Sequence, residues 1–447
     1  MFWYNNFNIN NLKSQGDFVI FAKGNKKMKT KQNIIRLIAA MILTVTLMLS
    51  LSSCVLDLGV LGELLDIYFS DENNQDNGGE GENNNGGGTA GDNITSENYG
   101  EFYPGSGTGS IEGLDPKVRT LLSSVSMISR FGSSEGLASG IIYKLDKEKG
   151  DAYILTNYHT VYLSGYGRAS SIELYLYGMH LAPYKINATF VGGSVTNDIA
   201  VLKVTGSEVL KNSYAVAADL GDSEAVRVFD RVYVVGNAEG MGMAATEGIV
   251  NVESETIELL GADNSEISPR VMRVDAAVNH GNSGGGVYDE NGRVVGVVVA
   301  KEVVADIDNM GYAIPINLAV RIAENVIANC DGQSNTKAQK PLMGITITSY
   351  VSGLEISPEG DEIYQVNLVE VIEVSQGSLA LGKVSVGDVI NSITIDGRTY
   401  RVSRVHHVTE AMFEAREGSV VTLNITRGDK TVEVSLTITK ESISQVK

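Results

Sequence analysis

Cysteine is nearly missing from this 447-residue chain, which holds only Cys54 and Cys330, far apart. A fold stapled by disulfides would show an even and larger set, so the folded parts must rest on burial. Cys330 reads as a lone thiol near a domain boundary. Positive charge is short as well: 35 Lys and Arg stand against 54 Asp and Glu, a formal net charge of −19. Nothing here could neutralise a phosphate backbone, which argues against nucleic acid as a partner. The five histidines never form a His-Glu-x-x-His run, so zinc-protease chemistry has no support, and no metal or cofactor is expected. His406-His407 reads as a solvated turn. The single tryptophan is Trp3. The longest apolar run, Leu37 to Leu51, falls short of the roughly 20 residues a membrane-spanning helix needs.

That run has another meaning. Lys26, Lys27, Lys29, Lys31 and Arg36 precede it, and Leu51-Ser52-Ser53-Cys54 closes it. A basic region, a short apolar core and small residues make a secretory signal. The closing tetrapeptide resembles the bacterial lipobox, which implies lipidation of Cys54 and a mature start there, with acyl chains holding the protein at a membrane surface. Residues 1–54 are therefore read as the signal. Met28 opens a signal of more usual length, so residues 1–27 look like an over-extended start. Residues 55–112 follow as a tether. After a short apolar piece, Asp71-Glu72-Asn73-Asn74 and Asn83-Asn84-Asn85-Gly86-Gly87-Gly88 have almost nothing to bury, the composition of a disordered spacer.

With 43% hydrophobic residues, the rest can build real cores. From residue 113 to 331 short β-branched or alternating runs recur: Ser124 to Ser129, Ala138 to Tyr143, Ala152 to Thr156, Ile172 to Tyr177, Ala200 to Val204, Arg231 to Val235, Val271 to Val274 and Arg293 to Val299. Glycine-bearing turns separate them, the pattern of a barrel or sandwich. Leu318 to Asn329 has helical spacing at Val320, Ile322, Val326 and Ile327. Residues 332–341 are polar and read as a linker. Residues 342–441 form a second β-rich unit, with strands over Gly344 to Ser349, Tyr364 to Val374, Val389 to Ile395, Val420 to Thr426 and Val432 to Ile438, and a short helix over Thr409 to Arg416. The fold class is mainly β.

Three runs in the first unit carry chemistry: Leu155-Thr156-Asn157-Tyr158-His159, Asn197-Asp198-Ile199-Ala200 and Asn279-His280-Gly281-Asn282-Ser283-Gly284-Gly285. A serine hydroxyl needs an adjacent imidazole to remove its proton. The imidazole needs a carboxylate to fix its tautomer. Glycines around Ser283 permit a tight turn that can aim the Gly281 and Ser283 amides, with Asn282 between them, at a developing oxyanion. Each piece alone has a plain structural reading; in the order His, Asp, Ser within one β-rich unit they make a triad.

These runs resemble the chymotrypsin-fold serine proteases, specifically the bacterial trypsin-like HtrA/Deg family. Gly140-Ile141-Ile142, Asp275-Ala276-Ala277-Val278-Asn279 and Gly311-Tyr312-Ala313-Ile314-Pro315 extend the likeness across about Leu121 to Ile327. The resemblance implies a double β-barrel with His159 as general base, Asp198 as its orienter and Ser283 as nucleophile. Tyr158, Thr160, His280 and Gly286 depart from the family's usual residues without removing a catalytic group. Ala277 stands six residues before the nucleophile, where trypsins place an aspartate, so a basic P1 side chain would lack a counter-charge. With Val297 and Val299 of the following strand it is expected to line a pocket for small or medium aliphatic P1 residues.

The second unit resembles a PDZ domain of the bacterial protease type. Met343-Gly344-Ile345 matches its carboxylate-binding loop, and Gly387-Asp388-Val389-Ile390 its core. Loop amides of that kind capture C-terminal peptides. The function implied is a lipid-anchored, ATP-independent endopeptidase at the cell envelope, acting on unfolded or damaged exported proteins. A homotrimer is the assembly the resemblance allows. Two other readings stay open: an idle envelope chaperone working through the PDZ unit, and a site-specific signalling protease.

Overall fold

The computed structural model describes residues 110–179, 182–299, 310–330, 332, 336–360 and 362–446. The signal, Cys54 and the tether up to residue 109 lie outside the described residues.

Six strands close a first barrel: β1 (Ser124–Phe131), β2 (Ser134–Asp146), β3 (Asp151–Thr156), β4 (Ser171–Leu176), β5 (Ile186–Ser194) and β6 (Ile199–Val204), in the order β5-β4-β1-β2-β3-β6, with β5 also paired to β6. Alternate residues explain the closure. Val125, Met127, Ile142, Ile154, Leu174 and Leu202 fill its interior. Their chain neighbours Ile141, Leu155 and Val201 are equally buried but belong to a cluster shared with the next barrel. Strands covered on both faces need apolar residues at consecutive positions rather than alternation, hence Ile141-Ile142 and Ile154-Leu155.

A second closed barrel follows from β7 (Arg231–Gly236), β8 (Ala244–Thr256), β9 (Arg270–Val274), β10 (Gly286–Tyr288), β11 (Val294–Val299) and β12 (Gly311–Pro315), in the order β8-β9-β12-β11-β10-β7. Val232, Val234, Val250, Met272, Val287 and Val298 pack inside it. Gly286 has a reason: a Cβ there would lie 2.4 Å from the ring of Tyr288, which is fully buried with its hydroxyl 3.0 Å from Ser124 Oγ. The long β5 and β8 and the short β10 and β12 have no counterpart in the sequence reading, which found eight of these twelve strands within two residues or so of their cores.

Helix α1 (Ile316–Asn329) buries Ile316, Leu318, Ala319, Ile322, Ala323 and Val326. The segment after it is not a free linker. Thr336–Lys337 pairs in parallel with Gly192 and Gly193 of β5, and a Cβ on Gly192 would meet the Thr336 carbonyl at 2.0 Å. Buried Asn325 of α1 donates to the Gln339 and Phe413 carbonyls at 2.7 Å each and accepts from the Gln339 N–H at 2.8 Å. The backbone of this stretch is therefore ordered by distant partners, which composition alone does not reveal.

The C-terminal sheet comprises Ile345–Ile356, Ile363–Val374, Val389–Ile395, Val420–Arg427 and Lys430–Thr437 in that order, with Arg398–Arg401 paired to the central strand. Helix α2 is Val405–Ala411, one turn earlier than the expected Thr409 to Arg416. Its position is set by contacts that lie far away in sequence. His406 and His407 are not a solvated turn: His407 Nε2 lies 3.0 Å from Glu224 Oε2, and both rings are largely buried. Three residues after His407, Glu410 receives Arg270 of β9 in a two-pronged pair at 2.6 and 2.7 Å, both side chains over nine-tenths buried. Arg321 to Glu414 at 2.7 Å and Arg227 over the Tyr364 ring at 4.5 Å complete the clamp.

Removing one partner of a buried pair strands the other charge. Glu410→Ala is expected to cost about 3 kcal/mol of stability by that account, read as a lower urea midpoint for the region around β9 and α2. An unshifted midpoint would show that the clamp holds nothing.

Candidate active site

β3 and β6 pair with Thr156 opposite Ala200, which sets the turn after one beside the turn before the other. Asn157 Nδ2 and the Tyr158 N–H donate to the Asp198 carbonyl at 3.0 and 3.2 Å. Asp198, 3% exposed, has a left-handed backbone (φ 50°), a conformation short polar residues tolerate. That conformation goes with a carboxylate that accepts from the His159 N–H at 2.9 Å through Oδ1 and meets His159 Nδ1 at 2.7 Å through Oδ2. On the far side of the ring, His159 Nε2 is 3.0 Å from Ser283 Oγ. The three residues singled out in sequence are one continuous hydrogen-bonded line.

Ser283 stands in the turn between β9 and β10. Gly281 (φ 89°) and Gly284 (φ 82°) are left-handed. A Cβ on Gly281 would lie 2.2 Å from the Asn237 carbonyl, and one on Gly284 2.2 Å from Thr156 Oγ1. The amides of the three residues expected around the oxyanion divide. The Asn282 N–H is already spent on the Asn279 carbonyl at 3.1 Å. The Gly281 and Ser283 N–H groups have no acceptor among the described residues. Their peptide units are held from behind. The His280 carbonyl accepts from the Glu239 N–H at 2.7 Å, and the Asn282 carbonyl from the Gly285 N–H at 2.8 Å. In a trans peptide the N–H opposes the C=O, so these bonds turn both amides away from the partners holding them.

The residues expected to line a P1 pocket are not gathered on one surface. Ala277 is exposed, whereas Val297 and Val299 are buried in the core beside the second barrel. Strand period explains it: β11 is covered on both faces, so its valines pack inward whichever way they point. Tyr158, a departure from the resembled family, is a core residue stacked edge-on against Phe190 at 5.7 Å. Thr160 donates to the Asn157 carbonyl at 2.7 Å and shares a hydroxyl contact with Thr156. In the C-terminal sheet, Gly344 is left-handed (φ 79°) and a Cβ there would meet Ser378 Cβ at 2.1 Å. Met343 is buried in that sheet's core, and Ile345 opens its edge strand.

Sequence reasoning missed Ser139, Asn237 and Glu239, which surround the nucleophile turn. A serine inside the buried run Ala138-Ser139-Gly140-Ile141 was the one available signal. Among the described residues, one cluster has metal-ligand residue types: Glu224, His406 and His407, their ligand atoms within 4.8 Å of one another. His407 Nδ1 accepts from the Ser403 N–H at 3.2 Å, so in the neutral ring Nε2 carries the hydrogen and donates to Glu224. A metal would need that nitrogen bare. Burial opposes ionisation of Glu224, yet the two imidazoles and the Arg270 charge outweigh it and hold its carboxyl well below the usual range. Burial pushes the His406 imidazole down. The cluster joins a Glu224–Arg270 ion pair at 3.2 Å to a hydrogen bond from His407.

Two closed barrels with serine, histidine and aspartate in line between them define a trypsin-like serine peptidase domain. Residues 138–297 match the family of trypsin-like peptidase domains. The chain is 32% identical over 250 residues to the serine protease Do-like HtrA of Bacillus subtilis, covering 53% of this chain and 51% of that protein. It is 30% identical over 316 residues to the periplasmic serine endoprotease DegP of Escherichia coli, covering 69% and 58%. A solved structure, the HtrA-type protease AlgW with tripeptide, superposes with a TM-score of 0.48 at 24% identity, over 73% of this chain and 96% of that one. The chain spans about half the length of the curated relatives it matches first. It carries a trypsin-like serine protease domain similar to those of HtrA/Deg proteins.

Proposed function

We propose that this chain is a serine endopeptidase that uses Ser283, His159 and Asp198 without ATP, tethered through lipidated Cys54 at the cell envelope, to degrade unfolded or damaged exported proteins. The observation that carries the reading is the unbroken line from Ser283 Oγ to His159 Nε2 at 3.0 Å and from His159 Nδ1 to Asp198 Oδ2 at 2.7 Å.

The chemistry follows from that line. As Ser283 Oγ attacks the scissile carbonyl carbon, His159 Nε2 takes the hydroxyl proton. Asp198 keeps the Nδ1–H tautomer in place and stabilises the imidazolium without itself being protonated. Charge developing on the carbonyl oxygen falls to the free Gly281 and Ser283 amides. His159 then gives its proton to the leaving amine, and water repeats the sequence on the acyl-enzyme to release the acid. Ser283→Ala removes the nucleophile, so casein degradation should fall at least about a thousandfold; survival of the activity would refute the assignment.

The C-terminal sheet is proposed as a PDZ domain that takes client C-termini at Met343, Gly344 and Ile345. In its favour, Gly344 immediately precedes the strand Ile345–Ile356, whose outer edge has no neighbour among the described residues, the arrangement that strand addition requires. Titrating the Ser283→Ala chain with one peptide bearing a free or an amidated C-terminus tests this, and equal affinities would overturn it.

Lipidation of Cys54 predicts that the parent sediments with membranes and that Cys54→Ser is released to the soluble fraction; equal partition of both refutes the anchor. Ala277 in place of a buried aspartate predicts fastest cleavage after valine or alanine in a P1 series of Val, Ala, Phe and Arg, an order that fastest cleavage after Arg would reverse.

A further inference from the structure

Ser139 lies on β2, in the first barrel, and is fully buried. Two of its hydrogen bonds reach the turn that carries Ser283, one reaches the end of β3 and one the loop after β7. Its N–H donates to the Ser283 carbonyl at 2.8 Å. Its carbonyl accepts from Thr156 Oγ1 at 2.8 Å, three residues before His159. Its hydroxyl donates to the Gly281 carbonyl at 2.7 Å and accepts from the Asn237 N–H at 2.8 Å. The hydroxyl's only proton and one of its two lone pairs are thereby engaged, and the two bonds together join two separate loops of the second barrel.

The second of those loops, residues 237–242, matters for what it delivers. It leaves β7 at Asn237, whose Oδ1 accepts from the Gly242 N–H at 2.9 Å and whose carbonyl accepts from the Gly240 N–H at 3.1 Å. Within it Glu239 is left-handed (φ 53°, ψ 18°), a backbone state that costs about 1 kcal/mol or more for a residue with a Cβ and persists only under constraint. That state goes with the Glu239 N–H reaching the His280 carbonyl at 2.7 Å. The His280–Gly281 peptide is thereby oriented by a bond from outside its own turn, unlike the Asn282–Ser283 peptide, which is held by Gly285 within it. Of the two free amides, the Gly281 N–H depends on where loop 237–242 sits.

On the reading of Ser283 as nucleophile, we infer that the Ser139 hydroxyl is a positioning group for the reaction: it straps loop 237–242 to the nucleophile turn and so sets the Gly281 N–H for the oxyanion. It touches neither substrate nor the reacting atoms. Its chemical signature is a loss in the transition state alone, because the imidazole line and the substrate-binding surface do not include it.

The full chain carrying Ser139→Ala, with active sites counted by end-point fluorophosphonate labelling, gives the test. The expected result is a fall in kcat per labelled site of about 10- to 100-fold, within the range of losing one oxyanion donor. KM should hold within about twofold and the midpoint of the pH profile should not move, since the base is untouched. Ser139→Thr, which keeps the hydroxyl, should recover most of kcat. In the Ser283→Ala background, amide exchange across 237–242 should rise at least about tenfold in Ser139→Ala, because that loop has lost its strap. A kcat per labelled site like the parent's, a loss confined to KM, or unchanged exchange overturns the inference. If Ser139→Ala does not fold, Ser139→Cys decides, its volume near that of serine and its thiol a weak hydrogen-bonding group; parental kcat in that variant overturns the inference as well. A parent chain that neither labels nor cleaves refutes the peptidase reading instead, while the exchange comparison still reports on Ser139.

Discussion

The hydrogen bond between His159 and Ser283 crosses from one barrel to the other, and the rest of the architecture can be understood from what that crossing requires. Each barrel must close, or its strands would not hold their loops to within a few tenths of an ångström. Both must also press together along a shared face. Ile141, Leu155 and Val201 supply that face on one side and Val235, Val297 and Val299 on the other, all nearly without exposure. Apolar residues at consecutive strand positions are the mark of this double coverage. They also explain why Val297 and Val299 are structural and do not line an open pocket.

The turns are set by a few polar groups, each with partners. Asp198 keeps its left-handed backbone because its carbonyl takes two donors and its carboxylate two more. Gly281 and Gly284 have left-handed backbones, and both stand where a side chain would run into the neighbouring loop. Ser139 joins these turns from beneath. A buried hydroxyl left with broken bonds is expensive, so one that both donates and accepts at this junction resists movement of either loop. The nucleophile turn is thus held from beneath by neutral hydrogen bonds through Ser139, with the Asp198 carboxylate acting on the His159 side.

Those charges concentrate where the C-terminal sheet meets the second barrel. Arg270 belongs to β9, whose far end runs into the nucleophile turn, and it is gripped by Glu410 and Glu224. Guanidinium and carboxylate match as a two-pronged pair with little freedom left to lose. The clamp with His406, His407 and Arg321 fixes the C-terminal unit on the double barrel.

How much could be read in advance differs from element to element. Strands with strongly apolar repeats, such as β3 and β11, were legible because burial dictates residue type locally. The line of Ser283, His159 and Asp198 was legible because these side chains stand next to particular turns in the sequence. The short β10 and β12 were not, since a three- to five-residue strand is defined by its partners. The ordered segment at 336–341, the register of α2 and the role of His406 and His407 were hidden for the same reason: polar residues there look solvated until their distant partners are known. The sequence by itself determined the β-rich class and the identities of Ser283, His159 and Asp198, because those depend on side-chain chemistry. Only the tertiary structure decided that Val297 and Val299 are core, that Asn282 lends no free amide, and that Ser139 ties two loops together, because each is a matter of which groups meet across the fold.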